Sequence, residues 1–210
     1  MSTSSATTFS PAGSSYHRTA GTIGLWAGLL GAASGILLIV YPAAVSDDRF
    51  SYPFTASGFT LIQSFFFVQH VCIAVLIAAL WISGAAGRGR IGRIGVGGSV
   101  LWMLGLGVTE LVAISAKDSP YPSPRTDTIE ALYGVTSTGI GVFLIIAGIA
   151  VLRARQWTGW QRWLPLALGV YVFVPLTPGL FGPFWLGRLV ITVWMLLFAL
   201  LGWTVLRSRS

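Results

Sequence analysis

The sequence predicts an all-α fold: a polytopic integral membrane protein, built as a six-transmembrane-helix bundle with N-in/C-in topology. Three observations carry this. Charged residues make up only 9% of the 210, while 54% are hydrophobic and the mean hydropathy is +0.78. A soluble domain carries roughly a quarter charged residues, so lipid is the expected solvent for most of the surface. Apolar runs recur six times, most near the ~20 residues that cross a hydrocarbon core of about 30 Å. Charge alternates from gap to gap. The two ends and the even-numbered gaps hold nine Arg and no acid, while the odd-numbered gaps hold Arg49, Lys117 and Arg125 against five acids. Basic residues are retained on the cytoplasmic side, which puts both termini inside.

Residues 1–20 are Ser/Thr-rich without a hydrophobic period and are expected to form a disordered cytoplasmic tail that includes His17 and Arg18. The first span covers 22–40. Its apolar run exceeds the roughly 7–15 residues of a signal-peptide core, so a retained span is expected. Gly24, Gly28, Gly31 and Gly35 recur every three or four residues. That spacing lets helix backbones approach closely in lipid. A loop with Asp47, Asp48 and Arg49 follows. Two adjacent carboxylates without a matching cluster read as solvated loop charges rather than a metal site.

The second span, 58–83, holds Gln63, Gln69 and His70. Gln63 and His70 lie seven apart and share a helix face. Arg88, Arg90 and Arg93 form a Gly-rich basic turn before the third span, 95–116. Pro120, Pro122 and Pro124 then predict an extended path. The fourth span, 131–152, carries Gly134, Gly141 and Gly148 at heptad spacing, a second small-residue face. Arg153, Arg155 and Arg162 stand beside Trp157 and Trp160, the pairing of an interfacial belt. The fifth span, 163–176, is short and closed by Pro175, Pro178 and Pro183. The sixth covers 184–205, and 207–210 is a basic cytoplasmic end.

Two charges fall inside spans: Glu110 in the third and Arg188 in the sixth. A charge at a helix centre in lipid costs up to about 2.5–3.5 kcal/mol, so each needs a partner. Glu110 lies seven residues before Lys117, ~10 Å below the outer end, and Arg188 five residues after Pro183, ~8 Å below it. They share one slab of the outer leaflet, and the fork of Arg suits a carboxylate. Gln63, Tyr133 and Thr192 lie in the same half, with His70 deeper. An outward-facing polar pocket lined by the second, third and sixth spans is therefore expected around Glu110 and Arg188. The competing reading is a structural ion pair that fixes helix register.

Much chemistry is excluded. Single Cys72 allows no intrachain disulfide, and the absence of Asn allows no N-glycosylation site. Only His70 lies at membrane depth, so bis-histidine haem is not expected. The zinc motif H-E-x-x-H, the P-loop and the G-x-S-x-G elbow are missing. No cofactor and no metal are expected. The formal net charge of +7 is assigned to topology rather than nucleic acid. Scarce Lys and absent Asn suggest GC-rich coding, hence a bacterial plasma (inner) membrane protein.

Three functional readings follow. The first is a small-ligand-binding or accessory, scaffold-type membrane protein, whose partners are the bilayer, a small molecule, and a membrane protein or second copy packed on the glycine faces. The second is a small secondary transporter for an anionic or polar solute. The third is an intramembrane lipid-modifying enzyme using Glu110 and His70 as an acid–base pair. The small set of polar groups inside the spans favours the first and leaves enzymatic activity the least supported.

Overall fold

The computed structural model describes residues 12–208, with side chains from residue 16 onward. The fold is all-helical. Six helices are long and apolar enough to cross a membrane, which fits a multi-pass membrane protein. They are α1 (Ala12–Val40), α2 (Ala56–Ile82), α3 (Arg90–Ile114), α4 (Pro124–Ala154), α5 (Gly159–Leu180) and α6 (Phe184–Arg207). The only β pairing among the described residues is an isolated antiparallel bridge, Arg49 to Pro120.

Each helix packs on its chain neighbours, and α6 returns to α1, so the six close into a sequential ring. Glycine makes the closure tight. A Cβ at Gly28 would run into the backbone of Ala199, and one at Gly202 into that of Leu25. Gly21 and Gly35 also face α6, at Leu206 and Thr192. Gly24 and Gly31 face α2 instead, at Leu76 and Gln69. The glycines of α1 are thus packed within the chain, against α2 and α6. On α4, Gly141 and Gly148 receive α5 at Phe173 and Leu166, while Gly134 faces open space.

The interior is apolar at mid-depth, with Ile73, Leu76, Met103, Leu144, Leu168 and Phe198 fully buried. The outward faces are apolar as well. Every helix exposes a large hydrophobic side chain, for example Trp26, Leu61, Leu101, Val135, Val174 and Trp185. Such a surface is a liability in water and a match for lipid.

Helix α3 starts at Arg90, so Arg90 and Arg93, expected in a basic turn, lie at its start, and the boundaries differ from expectation at three further places. Helix α1 begins at Ala12, so 12–20 are helical and His17 is a buried residue of α1; the rest of the expected tail, 1–11, lies outside the described residues. Helix α4 begins at Pro124, because Ser123 caps it through a reciprocal pair with Thr126 and proline is compatible with a first helical turn. Its 31 residues span about 46 Å, which carries Arg125, Asp127 and Glu130 beyond a hydrocarbon core.

The third difference is α5, which continues past Pro175. It opens as a 3-10 turn (Gly159–Trp163) and becomes α-helical over Leu164–Tyr171. It then widens to a π-turn over Val172–Leu176, before a last α-turn at Thr177–Leu180. Proline removes an amide donor from the ladder. The wider turn answers this, since Thr177 gives the Val172 carbonyl both its backbone N–H and its hydroxyl, the latter at 2.7 Å.

The loops at one end of the ring are tied together. The Phe50 amide donates to the Ser119 carbonyl (3.1 Å), the Tyr121 amide to that of Asp48 (2.7 Å) and the Arg49 guanidinium to that of Asp118 (3.3 Å). Phe54 reaches down to Leu38, Phe59, Ala113, Ala116 and Ile129, forming a second apolar cluster above the main core. Tyr52 stacks edge-on against Phe184, with ring centroids 5.5 Å apart.

Two predictions test this packing. Gly28→Ala should lower the melting temperature, whereas Gly97→Ala and Gly134→Ala, which meet open space, should leave it unchanged or raise stability by up to about 1 kcal/mol. The second concerns Tyr121, whose phenol donates to Glu130 at 2.7 Å. That bond, then burial and the charges of Glu130 and Asp127, push the phenol up to about 12 from an ordinary 10.0. A group that holds its proton more tightly when folded stabilises below its unfolded value and loses that contribution as pH rises through the folded one. The contribution should be complete below about pH 10 and disappear towards pH 12. The difference in phenolate absorbance between the wild type and Tyr121→Phe should show this late titration.

Candidate functional site

The polar side chains of the loop-covered half come together on α2, α3 and α4. Glu110 on α3 is 7% exposed. Its Oε2 accepts from the Tyr133 hydroxyl of α4 at 2.6 Å. The Tyr133 oxygen in turn accepts from the Gln63 amide of α2 at 3.0 Å. The order Gln63 to Tyr133 to Glu110 is therefore a directed relay across three neighbouring helices. A short bond onto a carboxylate is among the stronger neutral-donor contacts in a protein interior. Tyr133 also packs against both apolar clusters, which fixes its ring.

His70 completes this side. Its Nδ1 lies 4.0 Å from Glu110 Oε1 and 2.6 Å from the Phe66 carbonyl one turn back. The carbonyl can only accept, so Nδ1 carries a proton and donates to it. Gly107 on α3 stands against His70 and Phe67, with 3.4 Å from an added Cβ to each.

Arg188 stands apart, and the expected direct contact is not formed. No Lys or Arg among the described residues comes within 4.0 Å of a carboxylate; the one side-chain approach of that length is the imidazole of His70 to Glu110. The guanidinium of Arg188 lies over the Phe184 ring of its own helix, 4.9 Å from the centroid. The reason is ring order: α3 and α6 stand across the interior from one another, while α3 and α4 are neighbours.

Thr192 leaves the constellation too. Its hydroxyl donates to the Arg188 carbonyl at 2.8 Å and its side chain packs on Gly35, so it belongs to the α1–α6 seam. Thr109 and Thr136 likewise bond their own helices, at Gly105 and Leu132. The lining by the second, third and sixth spans is thus replaced by a relay on α2, α3 and α4 that Arg188 faces from α6.

An open outward pocket at these residues is not what the geometry displays. The apolar cluster around Phe54 and the tied loops lie over the relay. The two best-defined surface cavities lie elsewhere. One, about 370 Å³, sits between the tied loops beside Arg49 and Lys117. The other, about 510 Å³, is an apolar groove between α3 and α4 beside Trp102 and Gly134.

Two further buried polar groups had no assigned role in the sequence. Gln69 donates to the Ala27 carbonyl of α1 and the Met195 sulfur of α6, each at 3.1 Å, so one amide joins three helices. The glycine at 31 was the available signal, since it leaves room for that amide. His17 is buried, and its Nδ1 has no hydrogen-bond partner among the described residues. No group of three or more His, Cys, Asp or Glu among the described residues is placed to hold a metal ion.

Chemically, the relay can hold a proton or accept hydrogen bonds from a polar solute. An acid–base dyad of Glu110 and His70 is poorly arranged, because the nitrogen nearest the carboxylate already serves Phe66. No known protein family, characterised protein or solved structure matches the chain.

Tyr133→Phe should leave the Gln63 amide and the Glu110 carboxylate each one partner short. The expected cost is about 1–3 kcal/mol of stability. It should appear in thermal unfolding in detergent, and Gln63→Leu should cost less in the Tyr133→Phe background than in the wild type.

Proposed function

We propose that the protein is a small-ligand-binding membrane protein, accessory in character, whose polar ligand is recognised between Glu110 and Arg188. One observation carries this reading: two groups of opposite charge, Glu110 and Arg188, lie towards the same end of the ring on separate walls, with no approach within 4.0 Å. Each keeps hydrogen-bonding capacity. Among the described residues Glu110 Oε1 accepts no hydrogen bond of ordinary geometry, and His70 Nδ1 stands 4.0 Å from it. Among the described residues the Arg188 guanidinium makes no ion pair within 4.0 Å and lies over the Phe184 ring. A solute with a carboxylate or phosphate for Arg188 and an ammonium or hydroxyl for Glu110 would satisfy both. The tied loops over this region would then act as its cover.

The bundle is read as a bacterial plasma (inner) membrane protein with both termini in the cytoplasm. The folded chain supports this by gathering its charge. Arg18, Arg88, Arg90, Arg93, Arg153, Arg155, Arg162 and Arg207 all stand at one end of the ring, and Asp47, Asp48, Asp118 and Asp127 at the other. Cytoplasmic retention of arginine favours the first end inside. Reporters fused after Gly87 and after Pro122 should therefore lie on opposite sides, the first cytoplasmic; the reverse pattern would overturn the orientation.

Binding is tested by Glu110→Gln and Arg188→Met, singly and together, with melting measured against a panel of zwitterionic amino acids and dicarboxylates. Both single variants should fold and lose a melting shift that the wild type shows. The reading fails if no member of the panel shifts the wild type while the double variant regains the stability each single change loses. That outcome would make the two charges a register device.

A further inference from the structure

The sequence offered no role for Arg49 and Lys117 beyond loop charge. They line the same cavity, of about 370 Å³, at the end of the ring that carries the tied loops. Its walls come from the α1–α2 loop, the first turn of α2 and the α3–α4 loop. Arg49 is held in place by its bond to the Asp118 carbonyl, and the bridge from Arg49 to Pro120 fixes the two loops relative to each other. Neither Arg49 nor Lys117 has a carboxylate within 4.0 Å among the described residues.

A third group points to a ligand independently. Ser51 is only 3% exposed and lines this cavity, and its hydroxyl makes no hydrogen bond among the described residues. The residue is buried, yet its hydroxyl is left free to bond whatever occupies the cavity. Ser46, also on the wall, is already engaged with the Asp48 carboxylate. Ala56 brings the first turn of α2, whose free amides and positive dipole end favour an anion.

The chemistry of the wall is one-sided. A guanidinium, an ammonium, a hydroxyl and a helix start are all able to donate, and one carboxylate, Asp118, opposes them. Several donors converging on one space suit a group with several acceptor oxygens. We propose that this cavity binds a phosphate-type oxyanion, with Arg49 and Lys117 supplying the charge and Ser51 a hydrogen bond. Two sources share this chemistry: a soluble phosphate and the headgroup of an anionic lipid, which the position at the ends of α2 and α3 brings within reach. The site lies on the loops, so it stands or falls separately from the Glu110–Arg188 region.

The test uses the full chain in a zwitterionic detergent, with inorganic phosphate and short-chain phosphatidylglycerol as probes and sodium chloride at matched ionic strength as control. One or both probes should raise the melting temperature where sodium chloride does not. Arg49→Gln and Lys117→Gln should each weaken the apparent affinity about tenfold, while Arg125→Gln, outside the cavity, should leave it unchanged. A response to phosphatidylglycerol alone, with the same dependence on Arg49 and Lys117, assigns the ligand to the membrane; a response to phosphate assigns it to solution. Because Arg49 also ties the loops, Lys117→Gln and Ser51→Val decide the matter if Arg49→Gln does not fold. The proposal is overturned if neither probe stabilises the wild type beyond sodium chloride. It is equally overturned if Lys117→Gln and Ser51→Val respond as the wild type does.

Discussion

Backbone-to-backbone approach between α1 and α6 is the constraint on which the rest depends. In lipid, apolar side chains gain little by leaving the solvent for each other, so helix association relies on close packing and hydrogen bonds. Gly28 against Ala199 and Gly202 against Leu25 supply that closeness. Bringing the first helix onto the last gives the chain an interior, and an interior is what a carboxylate within a span requires. Gln69, reaching from α2 to Ala27 and Met195, adds a polar fastening to the same junction.

Inside the ring, polar groups obey a simple economy of neighbours. Threonines on α3, α4 and α6 return their hydroxyls to their own backbones, which is the cheapest satisfaction in lipid. Glu110 has no such local option, because a carboxylate side chain needs donors and the helix offers none beyond its first turn. The donor comes from Tyr133 on the adjacent helix, whose ring is gripped by two apolar clusters. Arg188, across the ring, stands more than 4.0 Å from the carboxylate, and Phe184 covers one face of its guanidinium.

The span count and approximate positions were legible because each apolar run is bracketed by charge or proline. Depth was legible as well: Glu110 and Arg188 do lie towards the same end of the bundle. Azimuth was not. Residue counting places a group in a slab but says nothing of which wall of the ring it occupies, so charge complementarity alone does not reveal that Tyr133 is the group bonded to Glu110. Tyr133 and Gln63 were marked as members of the polar set, yet their order in a relay depends on α2, α3 and α4 being consecutive staves. Proline misled twice for one reason. Pro124 and Pro175 were read as breakers, whereas the first sits where no amide bond is lost and the second is absorbed by a wider turn.

That wider turn sets the phase of everything after it. A π-turn accommodates one residue more than the α-turn it replaces. One residue corresponds to about 100° of rotation around a helix axis, so Thr177–Leu180 is turned by that angle relative to an uninterrupted α5. The rotation brings Gly179 onto Val190 of α6, where an added Cβ would come within 2.8 Å of the valine methyls. The last turn of α5 is thus a keyway cut out of step with the rest of its helix, and α6 seats in it only because Pro175 shifts the count.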